Sequence, residues 1–547
     1  MKPKRAIWHV FVLISVLFAS LAQADWLNLT GAETSRNIAE IYILNDEVKV
    51  KLEVFPGDLE TFRDLVPDSW TKDLDIQRPS LEERQRRFAN QTLVIQEQDG
   101  KILPAQFMLV EPRMRVERQS PLAGMMNPYT RQRIPGAPLD KRVIYAEISY
   151  PFQGESEQLT ITPPLNADGQ AEVTIGFIAY HRSVPIVDFR YLGQSEKLDL
   201  NWQDPWYTSF ENKNLTRHHK YPLMLFLYVE PRLVRLESLM RVGDMADMTG
   251  FAQREDEPNA DMHERLRRQV EEFAVRESTL DIDGETHHPD AVVINYFTVG
   301  LLGLKQVEDP ASVDNASLLV GVSRRYYIDA LPQKVTSTWD YFNPQIDRIP
   351  YIEADPAGPL PGFVEREDPV FAWENVLKQY QEPVLRPLDV TTGWRFDLPL
   401  IGKATLYNSL PDKQQAKQIV ADLFENLRIA YLEKNPLKRA VVLGQLTAGE
   451  LTTEFTAELA RLFSPAMRRG GEGSVNEFGD VEISQLRELA DPDGFSATLN
   501  GTAVASAMHW GHTDRLRLQF QLLVDLVEND NQWRLADATI LDLKQVK

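Results

Sequence analysis

The sequence has 547 residues, 43% of them hydrophobic, with 59 basic and 80 acidic side chains and a formal net charge of −21. That length and apolar content support about three or four domains with real cores, and an acidic chain without a long basic stripe makes nucleic acid and bare anionic lipid poor partners. Cysteine is absent, which removes disulfides, thiolate metal sites and cysteine nucleophiles without choosing a compartment.

At the start of the chain, Lys2, Lys4 and Arg5 precede an apolar run from Ile7 to Leu21, and Ala22-Gln23-Ala24 has the small-x-small pattern read by signal peptidase. Residues 1–24 are therefore read as a cleavable secretory signal peptide. The run is short for an anchor helix and ends in a good cleavage site. The mature protein is expected to begin at Asp25 and to be periplasmic, or alternatively secreted or surface-associated. Without the three signal-peptide cations, 56 basic residues face 80 acidic ones, a net charge of −24. The best later candidate for a span, Ala291 to Leu304, is only 14 residues long and contains Asn295. It reads as buried strand, so no direct membrane span is expected after cleavage.

The chain repeats itself. Tyr42-Ile43, Val48-Lys49 and Gly57-Asp58 recur 186 residues later as Tyr228-Val229, Val234-Arg235 and Gly243-Asp244. Phe88-Ala89, Thr92-Leu93, Ile95, Asp99-Gly100 and Pro104 recur at offsets of 184 to 187 as Phe273-Ala274, Thr279-Leu280, Ile282, Asp283-Gly284 and Pro289. Constant order and offset point to two copies of one unit, at 25–215 and 216–385. Within them Val48, Val50, Leu52 and Val54 alternate with charged residues, as do Val234, Leu236 and Met240 with Arg235, Glu237 and Arg241; both runs predict half-buried antiparallel strands. Asn45-Asp46, Asn166–Gly169 and Asp281–Gly284 read as hairpin turns. A helical stripe at Leu266, Val270 and Phe273 has its counterpart at about 81–88. Each copy is thus expected to be rich in β-sandwich, with a helical insertion.

A proline-rich stretch then leads through a linker at 386–410 to a different domain at 411–547. Ile419, Val420, Leu423, Leu427 and Ala430 mark an amphipathic helix, with Ser409 as N-cap and Asp412 three residues on. A second helix is predicted over Thr452–Phe463, a flexible loop over Arg468–Gly473, and three closing strands over about 497–510, 516–527 and 533–543. Helices followed by an antiparallel sheet predict an α+β fold. The expected fold class is therefore mainly β, two tandem related β-sandwich-rich units, plus this α+β domain.

Two resemblances follow from these residues. The helix at 414–432, the Ala448-Gly449-Glu450-Leu451 turn and the late strands ending in Gln532-Trp533-Arg534-Leu535 resemble the NTF2-like cone fold. Residues 159–240, through Thr174–Phe177, Val187–Tyr191, Leu200–Trp202 and Phe226–Pro231, are similar to the extracytoplasmic part of HupE/UreJ-type membrane proteins. That family has a polytopic membrane half that this sequence lacks. The resemblance therefore implies an accessory domain whose partner is a protein of the cell envelope, with a polytopic membrane protein as one such partner.

Candidate chemistry is sparse. His509-Trp510-Gly511-His512 with Asp514 is the most pointed motif: in a cone pocket an imidazole would serve as acid or base, with Asp514 orienting it. Histidines three apart on a regular strand face opposite sides, so metal binding is not expected there; the bland alternative is that Trp510 packs and the histidines cap a strand end. Among Trp202, Trp206, Tyr207 and Phe210, Trp206 reads as the freer ring for a ligand platform, with Trp202 in the core. His218-His219 and His287-His288 complete no metal spacing, and Asp281, Asp283 and Glu285 lack the rest of a calcium loop. His263-Glu264 begins a His-Glu-x-x-His motif without finishing it. No nucleophile elbow or phosphate loop is present. No catalytic residue, metal ligand or cofactor is assigned. The reading is a non-catalytic exported accessory protein that engages an envelope or membrane-protein partner. The alternatives are a small-ligand binder or enzyme using the C-terminal cone pocket, and a metal-handling accessory protein.

Overall fold

A computed structural model describes residues 29–546 apart from 73–76, 119, 121, 218, 301–302, 378–379, 391, 397–403, 409, 449–471, 490–492 and 511. The signal peptide expected at 1–24 and the helix expected at Thr452–Phe463 lie outside the described residues. The rest is mainly β.

The first unit packs two sheets face to face. The larger follows the order β4 (Gln106–Met114), β5 (Arg142–Pro151), β2 (Glu47–Val54), β1 (Asn37–Ile43), β7 (Ile175–His181), β8 (Val184–Tyr191). The smaller runs β10 (Ser209–Phe210), β9 (Glu196–Asp199), β6 (Gln158–Thr162), β3 (Val94–Glu97). The alternation in β2 does what it predicts. Val48, Val50, Leu52 and Val54 are fully buried and share one core cluster with Leu159, Ile161 and Leu198 of the opposite sheet. Each such side chain contributes roughly 1.5–3 kcal/mol on burial. Asn45 and Asp46 form the turn between β1 and β2, as expected.

The second unit repeats this plan. Its larger sheet runs β16 (Gly303–Val307), β15 (Ala291–Gly300), β17 (Leu318–Tyr327), β12 (Leu233–Arg241), β11 (Leu223–Glu230), β19 (Arg348–Asp355), β20 (Gly358–Glu365). Its smaller sheet runs β14 (Glu285–His287), β13 (Leu280–Ile282), β18 (Lys334–Thr338), β21 (Val370–Glu374). The path β4-β5-β2-β1-β7-β8 thus recurs as β15-β17-β12-β11-β19-β20, and β3-β6-β9 recurs as β13-β18-β21. Even strand sense agrees: β1 pairs antiparallel with β2 and parallel with β7, and β11 does the same with β12 and β19. Helix α1 (Leu81–Arg87) precedes β3, while α2 (Val242–Thr249) and the longer α3 (Asn259–Glu277) precede β13.

The copies differ at one sheet edge. In the second unit a short chain reversal after β15 adds β16 to it, so the stretch expected as a single buried strand is a half-buried strand and the start of its partner. In the first unit the described residues between β4 and β5 add no strand to this sheet, and the chain makes a long excursion before β5.

A second departure concerns β12. The charged half of its alternation was expected to face solvent, yet Arg235 and Glu237 have no exposed surface. The strand is buried on both faces because other parts of the chain cover its outer side.

The last domain places α4 (Lys413–Leu432) and α5 (Pro436–Leu446) against an antiparallel sheet. The sheet order is β24 (Glu472–Phe478), β26 (Gly494–His509), β27 (His512–Asn529), β28 (Gln532–Val546), with β25 (Glu482–Leu489) also on β26. Ala416, Val420, Leu423, Leu427 and Ala430 are buried as the periodicity predicts. The N-cap lies three residues later than expected. Asp412 accepts from Gln414 N and Gln415 N, and the Gln415 side chain accepts from Asp412 N, a reciprocal capping box. The three closing strands expected are β26, β27 and β28; among the described residues β24 and β25 join them, and β24 takes up Glu472 and Gly473 of the expected loop. Register shifts against β28 at Gln521/Leu522 and Asp525/Leu526 bend the long strands. The span expected as a linker carries the paired strands β22 (Thr392–Phe396) and β23 (Ala404–Asn408), and Leu388 and Val390 belong to the C-terminal core.

Candidate functional site

The sequence-predicted aromatic candidates meet in one place, and that place is an interior. The motif at 509–512 lies where β26 and β27 meet: His509 pairs directly with His512, and Trp510 follows His509. The two histidines therefore occupy paired positions across a hairpin, not positions three apart along one strand. Their side chains, and that of Asp514, lie outside the described residues. Trp510 adopts a left-handed backbone, φ 42°, and its ring is buried in the outer face of the second unit's sheet. There it meets Phe297 and Phe226 edge-on, with ring centroids 5.1 and 6.4 Å apart. Gly321 of β17 supplies the space. A Cβ there would lie 2.5 Å from the rim of the indole.

Polar contacts hold the tip in register. Trp510 N donates to Glu237 Oε2 at 3.1 Å, and Arg235 Nη2 donates to the Met508 carbonyl at 3.0 Å. Arg235 and Glu237 pair with each other at 3.1 Å, and the Arg235 guanidinium stacks on Tyr228 at 4.4 Å. Burial pushes the Glu237 carboxyl up, against the opposing pull of Arg235 and the Trp510 N–H. Neither charged residue was singled out in the sequence, where alternation alone argued for exposure.

Trp206 joins the same cluster from the first unit. Expected to be the freer ring, it is 2% exposed against 9% for Trp202. Its 3-10 turn is capped by Asp204, which accepts from Trp206 N. The Arg217 guanidinium lies 4.0 Å from the ring centroid and donates to the carbonyls of Trp206 and Pro185, each at 2.7 Å. Burial lowers Arg217 to about 10. Arg241 ties the turn to the second unit by donating to Asp204 and Asp244, each at 2.6 Å. Trp206 and Trp510 are thus plugs at a three-way junction, and neither ring faces an open platform. Between α4 and the C-terminal sheet, Phe424, Phe478 and Phe520 pack on one another. Among the described residues, no group of three or more His, Asp or Glu is placed to hold a metal ion.

A surface of different character sits on the first unit. Strand β4 is the outer strand of its sheet, and it exposes Met108 and Leu109. Its edge is poorly suited to accept another strand: Pro112 offers no N–H, and the register shifts at Phe107/Leu109. Where β4 ends, at Met114 paired with Arg142, the excursion over 115–141 begins. It is anchored, not loose. Asn127 Nδ2 donates to the Leu29 carbonyl at 2.9 Å, and Thr34 Oγ1 donates to the Pro135 carbonyl at 3.0 Å. Ile134 is buried beside Gly31, whose φ of 70° and 2.8 Å clearance to Pro135 leave no room for a Cβ. From that anchor a small hairpin projects. Gly124 N donates to the Ile134 carbonyl and Ile134 N to the Met125 carbonyl, each at 2.8 Å, while Asn127 Oδ1 accepts from Tyr129 N and Thr130 N.

Exposed apolar side chains recur from the end of β4 along the excursion: Met114, Val116, Met125, Met126, Tyr129 and Leu139. Tyr129 is 84% exposed and Leu139 fully so. The charges here are sorted. Arg113, Lys141 and Arg142 pair with Glu111, Glu117 and Asp140, and Arg118 bridges Glu53 at 2.9 Å and Glu40 at 3.0 Å. Arg131 and Arg133 on the hairpin are exposed and have no carboxylate partner among the described residues. An apolar, cationic pole therefore stands on a strongly acidic protein. The sequence carried a trace of it in Met125-Met126 and the run of arginines after Arg113, but without strand or helix periodicity.

No family model matches the sequence, and no curated protein matches it. Among solved structures, the intermembrane space region of the chloroplast protein ARC6 matches with 12% identity over 24% of this chain and 98% of that chain, at a TM-score of 0.20.

Proposed function

We propose that this is an exported accessory protein that acts at the cell envelope by docking through the pole of its first unit. The observation that carries this reading is the set of six exposed apolar side chains on an anchored hairpin and its flanks. Exposed apolar side chains concentrated in one segment point to an interaction site, and Met, Tyr and Arg are residue types enriched in interfaces. At the equivalent edge the second unit adds its own β16. The buried junction of Trp206 and Trp510 supports the same division of labour, since it braces the three parts and leaves one face to engage a partner.

Two expectations from the sequence belong with this proposal. The similarity of residues 159–240 to the extracytoplasmic part of HupE/UreJ-type proteins, and the signal peptide at 1–24, support action outside the cytoplasm beside a membrane. The C-terminal helices on a bent antiparallel sheet suit an NTF2-like domain, which here serves as a brace. No helix among the described residues is long and apolar enough to cross a membrane.

Cell fractionation tests the reading. The wild-type protein should sediment with envelopes, and the Met125→Ser/Met126→Ser/Tyr129→Ser variant should move to the soluble fraction. An unchanged distribution of that variant contradicts the proposal.

A further inference from the structure

Resting on that reading, we infer that the partner met by the hairpin tip is the lipid–water interface of a membrane, with Met125, Met126 and Tyr129 entering the headgroup layer and Arg131 and Arg133 meeting lipid phosphates. Four observations favour lipid over a protein face. The apolar side chains of the hairpin, Met125, Met126 and Tyr129, are exposed, so they can enter a fluid layer without rearrangement. The neighbouring β4 edge, guarded by Pro112 and the register shift after Phe107, is closed to the strand addition by which many protein partners dock. The hairpin is held by Asn127, Ile134 and Thr34, so little ordering entropy remains to oppose insertion. Finally, Arg131 and Arg133 follow the apolar residues closely in the same hairpin and have no carboxylate partner among the described residues.

Electrostatics fix the kind of membrane. The whole molecule carries −21, which opposes approach to an anionic surface at long range. At ionic strengths where the Debye length is about 8–10 Å, that repulsion is screened and only the charges at the contact count. There the arginines are unopposed, and each cation at an anionic surface strengthens binding by roughly fivefold. The arrangement predicts weak, reversible association with membranes containing anionic phospholipid. Tyr is suited to the interfacial layer, where its apolar ring and polar hydroxyl are both satisfied, and the methionines add apolar surface. The net charge, taken alone in the sequence, argued against such lipid; the segregation of charge onto one pole reverses that expectation locally.

The cysteine-free chain makes the test clean. Full-length protein carrying Met126→Cys is labelled with an environment-sensitive fluorophore and mixed with phosphatidylethanolamine/phosphatidylglycerol vesicles, with phosphatidylcholine vesicles as comparison. A blue shift and a clear intensity rise with the anionic vesicles are expected, weaker with phosphatidylcholine. The same dye on Glu255→Cys, in an exposed turn of the second unit, should not respond. Arg131→Glu/Arg133→Glu in the Met126→Cys background should weaken anionic-vesicle binding by at least about 25-fold, as two lost cations imply. Circular dichroism of each variant confirms that it folds. If the Met126→Cys probe stays silent with both vesicles while the pole variant is still released from envelopes in cells, the pole contacts a protein. That result overturns this inference and leaves the proposed function standing. If fractionation also fails, both fall.

Discussion

His181 shows how a residue that no motif marks can set the pH response of a unit. It is fully buried, its Nδ1 lies 2.7 Å from Thr208 Oγ1, and its ring meets Trp202 edge-on at 4.5 Å. Burial, with Arg182 adding to it, lowers its pKa from 6.5 to about 4. Between those values the unfolded chain holds a proton that the folded chain does not. The stability this site contributes is therefore full above about pH 6.5 and is lost as pH falls toward 4, by at most roughly 3 kcal/mol. Urea unfolding at about pH 7.5 and about pH 4.5 should show that loss in the wild type and a smaller one in His181→Gln. Equal slopes would refute the assignment. Trp206 carries the complementary lesson: its proline-bracketed turn gave a sequence no sign of Arg217 and Arg241, which arrive from elsewhere to cover the ring.

At the scale of elements, the β26–β27 hairpin works as an arm whose tip is seated in another domain. Trp510 holds a left-handed backbone that costs an L-residue roughly 1–2 kcal/mol, and the packing of its ring against Phe297, Phe226 and Gly321 more than offsets it. Removing such a buried aromatic side chain typically costs about 3–5 kcal/mol. Trp510→Ala should therefore raise amide hydrogen exchange at the hairpin tip and along β12 while leaving β1 and β2 unchanged. Gly321→Ala should produce the same pattern, because the added Cβ meets the indole rim. Protection preserved in both variants would contradict a seated arm. The same junction explains why β12 misled. Alternation reports that one face is apolar, but not that a charged pair on the other face will be covered by a distant hairpin. The α4 helix was legible for the opposite reason. Its core face and its cap are both local, and only the choice between Ser409 and Asp412 needed the backbone.

Across the whole molecule, the constant offset of 184–187 residues foretold a shared strand order, and the two larger sheets follow one path. What the repeat could not foretell is where the copies diverge. The second unit spends the chain after β15 on β16, and the first spends it on the hairpin at 124–134. Periodicity reads burial, so a surface made of exposed Met, Tyr and Arg leaves no periodic trace. The predicted aromatic candidates, Trp206 and Trp510, drew attention because large rings are conspicuous, and large rings serve junctions as readily as ligand sites. The central claim is that the pole of the first unit is the face engaged at the envelope. Thiol accessibility of Met126→Cys tests it most directly, using a hydrophilic maleimide on intact envelopes and on purified protein. The account predicts rapid labelling of the purified protein and protection at the envelope, with Glu255→Cys, in the second unit, labelled equally in both. Equal labelling of Met126→Cys in the two settings would contradict it.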